Sequence, residues 1–183
     1  MDKTFFIDVS HWDPKVDYKL LKSEGVDVVV IKTTQGNYRT DDLFWKHYKA
    51  AKSADMVIGL YHWLDPVIST YPTSAGQRQA EYFLKILSQT DAKFYWLDVE
   101  QQWWDWKEWQ AGKITKVIPP SHISQSALAF IEYVKGNSPA IPVVYTNQNF
   151  ILTYAKPMLN WLAEKNVNLS LARYPFARTH TLS

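Results

Sequence analysis

Short apolar runs alternate with stretches of helical spacing along most of the chain, a pattern that predicts strands and helices in succession. Phe5 to Ser10 reads as an opening strand that carries Asp8 near its C-terminal end. Asp17 is placed to cap a helix over 18–24, with Val16 set to staple against Leu20 or Leu21 and Gly25 as the stop. The second strand, 26–34, holds the unbroken run Val28-Val29-Val30-Ile31, as expected of a strand covered on both faces. Phe44, Tyr48 and Ala51 recur at helical spacing, so a helix is predicted from about 43 to 54. In a third strand, 56–64, Gly59, Tyr61 and Trp63 share one face and Ile58, Leu60 and His62 the other, and Tyr61 is assigned to the inside. Ser74 and Gln77 have the spacing of a capping box ahead of the stripe Ala80, Phe83, Leu84, Leu87. A strand over 93–100, a helix from Pro119-Pro120-Ser121 to Gly136, a strand over 141–147, helices near 148–155 and 157–165, and a strand over 169–174 complete the order.

Strands and helices in alternation imply an α/β fold with a parallel sheet and its helices outside, either an α/β barrel or a doubly wound sheet. In both, ligands meet the C-terminal ends of the strands, where Asp8, Tyr61, Asp98, Glu100, Tyr145 and Asn147 fall. Neither GxGxxG nor GxxxxGK[ST] occurs, which disfavours nucleotide binding. No Pro/Gly/Ser-rich stretch divides the chain, so a single domain is expected over residues 1–183.

The strand Phe94-Tyr95-Trp96-Leu97-Asp98-Val99-Glu100 carries the clearest chemistry. Residues two apart share a face, so Asp98 and Glu100 point together, their Cβ atoms roughly 6–7 Å apart. At that distance one carboxylate raises the pKa of the other, which is how two similar groups become one acid and one base. Residues 101–119 follow directly and place Trp103, Trp104, Trp106 and Trp109 around Asp105 and Glu108. Such a segment can fill a core or form a flat substrate platform, because aromatic rings suit the apolar faces of sugars.

Composition narrows the alternatives. The net charge is +2 with Lys and Arg spread among acids, which argues against nucleic acid as a partner. There is no Cys, so thiolate nucleophiles, disulfides and thiolate metal sites are excluded. The five histidines form no tight metal-ligand spacing and read as surface or core residues; neither a metal nor a cofactor is expected. No apolar run reaches the length of a membrane span, and no membrane partner is expected.

Taken in order, these residues resemble glycoside hydrolase family 25, the Chalaropsis-type lysozymes. Ile7-Asp8-Val9-Ser10-His11-Trp12 resembles the family's first strand and Val30-Ile31-Lys32-Thr33-Thr34-Gln35-Gly36 its second. Gly59-Leu60-Tyr61-His62-Trp63, Gln79-Ala80-Glu81-Tyr82-Phe83, Leu97-Asp98-Val99-Glu100, Val144-Tyr145-Thr146 and Leu171-Ala172-Arg173-Tyr174 continue the match over nearly the whole chain. The resemblance implies an irregular TIM-type (β/α) barrel that cleaves the β-1,4 bond between N-acetylmuramic acid and N-acetylglucosamine in peptidoglycan glycan strands. It implies Glu100 as general acid, Asp98 as the carboxylate that orients the 2-acetamido group or stabilises positive charge, and Asp8 as a third catalytic-site acid. Tyr61, Trp63, Tyr145, Gln35, Trp103 and Trp104 are the expected substrate contacts, and retention through substrate assistance is the implied course.

Three departures stand out. Gln35 replaces a usual Glu and Ser170 a usual Trp, and only Pro175 to Ser183 follow the Ala-Arg-Tyr strand, where the family continues into further strands. The barrel is therefore expected to be incomplete at its C-terminus, with lowered activity and either self-association through an open edge bearing Phe5, Phe6 and Ile7 or cover from Pro175 to Ser183. The first strand starts almost at Met1, so synthesis without a signal peptide and action at the bacterial cell wall, as an endolysin or autolysin, are expected. A glycan-binding module that has lost catalysis is the rival reading, and hydrolysis is what separates the two.

Overall fold

The computed structural model describes residues 4–66, 71–103 and 105–172. Within them the elements run β1 (Phe5–Val9), α1 (Tyr18–Ser23), β2 (Val26–Gln35), β3 (Arg39–Thr40), α2 (Phe44–Ser53), β4 (Val57–Trp63), α3 (Pro72–Leu87), β5 (Phe94–Asp98), α4 (Trp106–Gln110), α5 (Pro120–Asn137), β6 (Ile141–Asn147), α6 (Gln148–Tyr154), α7 (Met158–Glu164) and β7 (Asn168–Ala172). The main strands pair in parallel in the order β1-β2-β4-β5-β6-β7, and the two-residue β3 adds antiparallel to β2. The sheet curls into a half-barrel, and β1 and β7 do not pair among the described residues. An α/β parallel architecture is thus present, and closure into a full barrel is not seen there.

The register divides every strand into two faces. Outward-pointing Val29, Ile31, Ile58, Leu60, Tyr95, Leu97 and Val144 belong to one core cluster with Phe44, Phe83, Phe130, Ile131 and Met158 of the helices. The opposite face carries, on neighbouring strands, Lys32 beside Tyr61, Tyr61 beside Trp96, Trp63 beside Asp98 and Asp98 beside Tyr145. Hydrophobic burial is therefore concentrated behind the sheet, and the concave side is left for polar and aromatic groups.

Local signals explain the boundaries. Asp17 accepts the Leu20 N–H at 3.0 Å to start α1, and Gly25, at φ +89°, turns the chain after it. α3 begins two residues before the expected cap: Pro72 occupies its first turn, where a missing N–H costs nothing, so Ser74 and Gln77 lie inside the helix. Glycine at position 76 lets α3 approach α5 closely, because a Cβ there would collide with the carbonyl oxygen of Ser126. Ser126 donates its hydroxyl to the Pro72 carbonyl at 2.9 Å across the same contact.

Candidate active site

β5 ends at Asp98, earlier than its sequence suggests, but the alternation continues for two more residues. Val99 is buried in the core, its N–H donates to the Tyr145 carbonyl at 2.9 Å, and its own carbonyl accepts the Thr146 hydroxyl at 2.7 Å. Those ties hold Val99 outward and turn Asp98 and Glu100 to the concave side. Asp98 is buried, and its Oδ1 has no hydrogen-bond partner among the described residues. Its pKa is raised well above the ordinary value of 3.8, first by burial and then by Glu100, with Asp8 adding and Lys32 opposing. Glu100 itself is half-buried and accepts a hydrogen bond from Asn147 Nδ2 at 3.2 Å.

Asp8 stands at the rim of β1. Its surface is open to water, yet neighbouring atoms crowd the carboxyl enough to raise its pKa, and Asp13 adds to the effect. Tyr61 faces Asp98, Asp8 and Asp41, and burial, aided by those charges, holds its phenol protonated far above neutral pH. Tyr145 stacks on Trp96 with ring centres 5.3 Å apart and planes 5° from parallel, and Phe6 meets the same indole edge-on at 5.3 Å. Lys32 extends from β2 with its Nζ 5.2 Å from the Trp63 ring; burial lowers its pKa, against the pull of Asp98 and Asp41.

Two cavities flank Trp103. One, of about 620 Å³, is bounded by His11, Lys32, Gln35, Trp63, Gln101 and Trp109 as well as Trp103. The other, of about 550 Å³, is bounded by Glu100, Gln102, Asn147, Asn149 and Tyr154 together with the same indole. Trp103 is buried and stacks on Trp109 at 4.6 Å, so the Trp-rich segment contributes both packing and an accessible aromatic wall. The segment is organised by its own polar groups: Asp105 caps α4, Glu108 accepts from the Thr115 N–H and hydroxyl, and Trp103 bridges to Val117. Trp104 lies outside the described residues.

Several wall residues are invisible to motif reading. Asp65 accepts from Tyr38 OH at 2.9 Å and from Gln101 Nε2 at 2.8 Å, while Gln101 Oε1 accepts from Trp63 Nε1 at 3.0 Å. Behind them, Gln79 joins the Asp65 backbone by two bonds and accepts from His62 Nε2, and His62 Nδ1 accepts from the Thr34 hydroxyl at 2.8 Å. Burial lowers the pKa of His62 to about 3, so it serves as a neutral core strut. His11 does not fit that description. It borders the larger cavity, and its Nδ1 lies 2.6 Å from the buried Asp41 carboxylate. Nothing in the spacing of the sequence marks this pair, since it joins two distant loops.

Among the described residues no group of His, Asp or Glu is arranged to hold a metal ion, and no helix is long and apolar enough to cross a membrane.

The sequence profile of glycosyl hydrolases family 25 matches residues 7–183. The chain is 30% identical over 168 residues to the autolytic lysozyme of Clostridium acetobutylicum, a match covering 88% of this chain and 45% of that protein. It is 38% identical over 77 residues to lysozyme M1 of Streptomyces globisporus, covering 42% of this chain and 24% of that protein. Each match therefore spans less than half the length of its curated relative. The solved muramidase of Trichobolus zukalii superposes with a TM-score of 0.72 at 25% identity, over 95% of this chain and 78% of that one.

Proposed function

The chain belongs to glycosyl hydrolases family 25, and on that footing we propose that it hydrolyses peptidoglycan at the β-1,4 bond between N-acetylmuramic acid and N-acetylglucosamine. Glu100 is the general acid: it protonates the glycosidic oxygen as the C1–O bond breaks, then receives a proton back from the water that completes hydrolysis. Asp98 is the assisting carboxylate. Its Oδ1 accepts the N–H of the 2-acetamido group, so that the acetamido carbonyl oxygen is aimed at C1 from the opposite face and configuration is retained.

The observation that carries this reading is the state of Asp98, buried with an oxygen unmatched by any described residue and its pKa raised by that burial and then by Glu100 beside it. A buried polar oxygen of this kind costs about 1–3 kcal/mol, and a substrate N–H at that position offsets the cost at the moment of binding. Asp8 and Tyr61 line the same end of the half-barrel as supporting groups, while Trp63, Gln35, Tyr145 and Trp103 supply the sugar-facing wall. The site of action is the bacterial cell wall.

The test compares the natural chain with Glu100→Gln on purified peptidoglycan, following turbidity and new reducing ends together with sedimentation on the same material. The natural chain should generate reducing ends, and Glu100→Gln, which keeps shape but cannot transfer a proton, should lose about 10²- to 10⁴-fold in rate. A Glu100→Gln protein that keeps most of its lytic rate would overturn the assignment. Binding by the natural chain without reducing ends would make it a glycan-binding module.

A further inference from the structure

Asn147 closes β6 and caps α6, and both ends of its side-chain amide are engaged. Its Oδ1 accepts the Phe150 N–H at 2.8 Å. A backbone N–H can only donate, so this cap identifies which amide atom is oxygen and removes the usual ambiguity between the two ends of an asparagine. The atom that meets Glu100 Oε1 at 3.2 Å is therefore the NH₂ group.

The separation of the two residues is set by the backbone on either side. Thr146 precedes Asn147 and donates its hydroxyl to the carbonyl of Val99, which precedes Glu100; Val99 in turn donates its N–H to Tyr145. Two bonds of 2.7 and 2.9 Å thus lock the end of β5 to the end of β6 immediately before the pair. Asn147 and Glu100 then border the same cavity, and among the described residues the other ionisable groups about Glu100 are Asp98, whose proton the Glu100 charge helps hold, and Tyr154, which borders the cavity too.

We propose that Asn147 is the positioning residue of Glu100 and selects Oε2 as the atom that carries the transferable proton. The proposal rests on Glu100 being the general acid. In a protonated carboxyl only the carbonyl oxygen accepts well, and the Asn147 N–H occupies Oε1, so the proton resides on Oε2. When the proton leaves, the same N–H faces a carboxylate, and the bond becomes charge-assisted and stronger. The contact therefore holds the acid in place beforehand and favours the state that follows proton transfer.

Asn147→Asp and Asn147→Ser test this, because Asp and Ser cap helices about as well as Asn and leave the start of α6 intact. Neither presents the amide N–H to Glu100. Both variants should melt as the natural protein does, with kcat on soluble peptidoglycan fragments down roughly 10- to 100-fold and KM little changed. In Asn147→Asp two carboxyl groups face each other and hold one proton more tightly, so the alkaline limb of the pH–rate profile should move to higher pH. Asn147→Ser removes only the N–H that favours the carboxylate, so it should lose rate with a smaller displacement in the same direction, and it carries the test should the Asp variant fail to fold. A folded variant with natural kcat and an unmoved profile, alongside an inactive Glu100→Gln, overturns this inference alone. An active Glu100→Gln overturns the acid assignment and this inference with it.

Discussion

Replacing Asp98 by Asn should make the protein more stable and less active at the same time, and the size of the stability change should depend on pH in a calculable way. Asp98 has a folded pKa raised above its ordinary 3.8 by burial and by Glu100. The unfolded chain therefore releases this proton more readily than the folded one. The stability contributed by the neutral carboxyl is complete below about pH 3.8 and is lost as pH rises through the folded pKa. Above 3.8, each pH unit over which the folded protein keeps the proton costs about 1.4 kcal/mol relative to a side chain that needs none. The ceiling at pH 7 is thus about 4 kcal/mol, whatever the folded pKa, and it shrinks to nothing near pH 4. Asn is nearly isosteric and permanently neutral, so Asp98→Asn should recover that cost. For a chain of this size the gain corresponds to at most about 8–16 °C in melting temperature at pH 7. Activity should fall about 10²- to 10³-fold, because an amide, unlike a carboxyl, can never ionise to meet the developing positive centre. Thermal melts of both proteins from pH 3.5 to 8, together with a reducing-end assay, read out both effects. A variant no more stable than the natural chain at pH 7, or a difference that does not shrink toward pH 4, would refute the account of Asp98 as a carboxyl held in an unfavourable state.

Two further outcomes are expected. Trp109→Ala removes the exposed half of the stack on Trp103, so binding of soluble glycan fragments should weaken roughly 2- to 10-fold while the melting temperature changes little; isothermal titration beside a thermal melt checks it, and the opposite pattern would return this segment to a packing role. Gly76→Ala forces a Cβ against the Ser126 carbonyl between α3 and α5 and should cost about 1–3 kcal/mol in urea unfolding with no change in the rate of the folded fraction; an unaltered midpoint would mean that the two helices have room to separate.

Periodicity carried most of the fold. Strand alternation placed Tyr61, Trp63 and Asp98 on one face and Leu60, His62 and Leu97 on the other, because burial behind the sheet leaves little freedom of register. The start of α3 was misplaced because two local signals compete there, and Pro72 takes the helix start ahead of Ser74. The two-residue β3 gave no signal, being too short for alternation to register. At the site, Asp98 and Glu100 were legible because they are neighbours in sequence. The union of Tyr38, Asp65, Gln79 and Gln101, or of His11 with Asp41, was not, since hydrogen bonds between distant loops leave no periodic trace. Separation of the cleft by Trp103 was equally hidden, because it depends on how residues 101–119 fold back to Val117.

The Trp103–Trp109 pair also supplies an optical probe. Two indoles with centres 4.6 Å apart and planes inclined by 23° have excited states that couple, so their near-ultraviolet circular dichroism depends on their mutual angle and not only on their surroundings. Because Trp103 forms a wall of both cavities, a glycan entering either one would press on the same pair. Occupancy of the cleft can therefore be followed on the unlabelled protein, before any bond is cut.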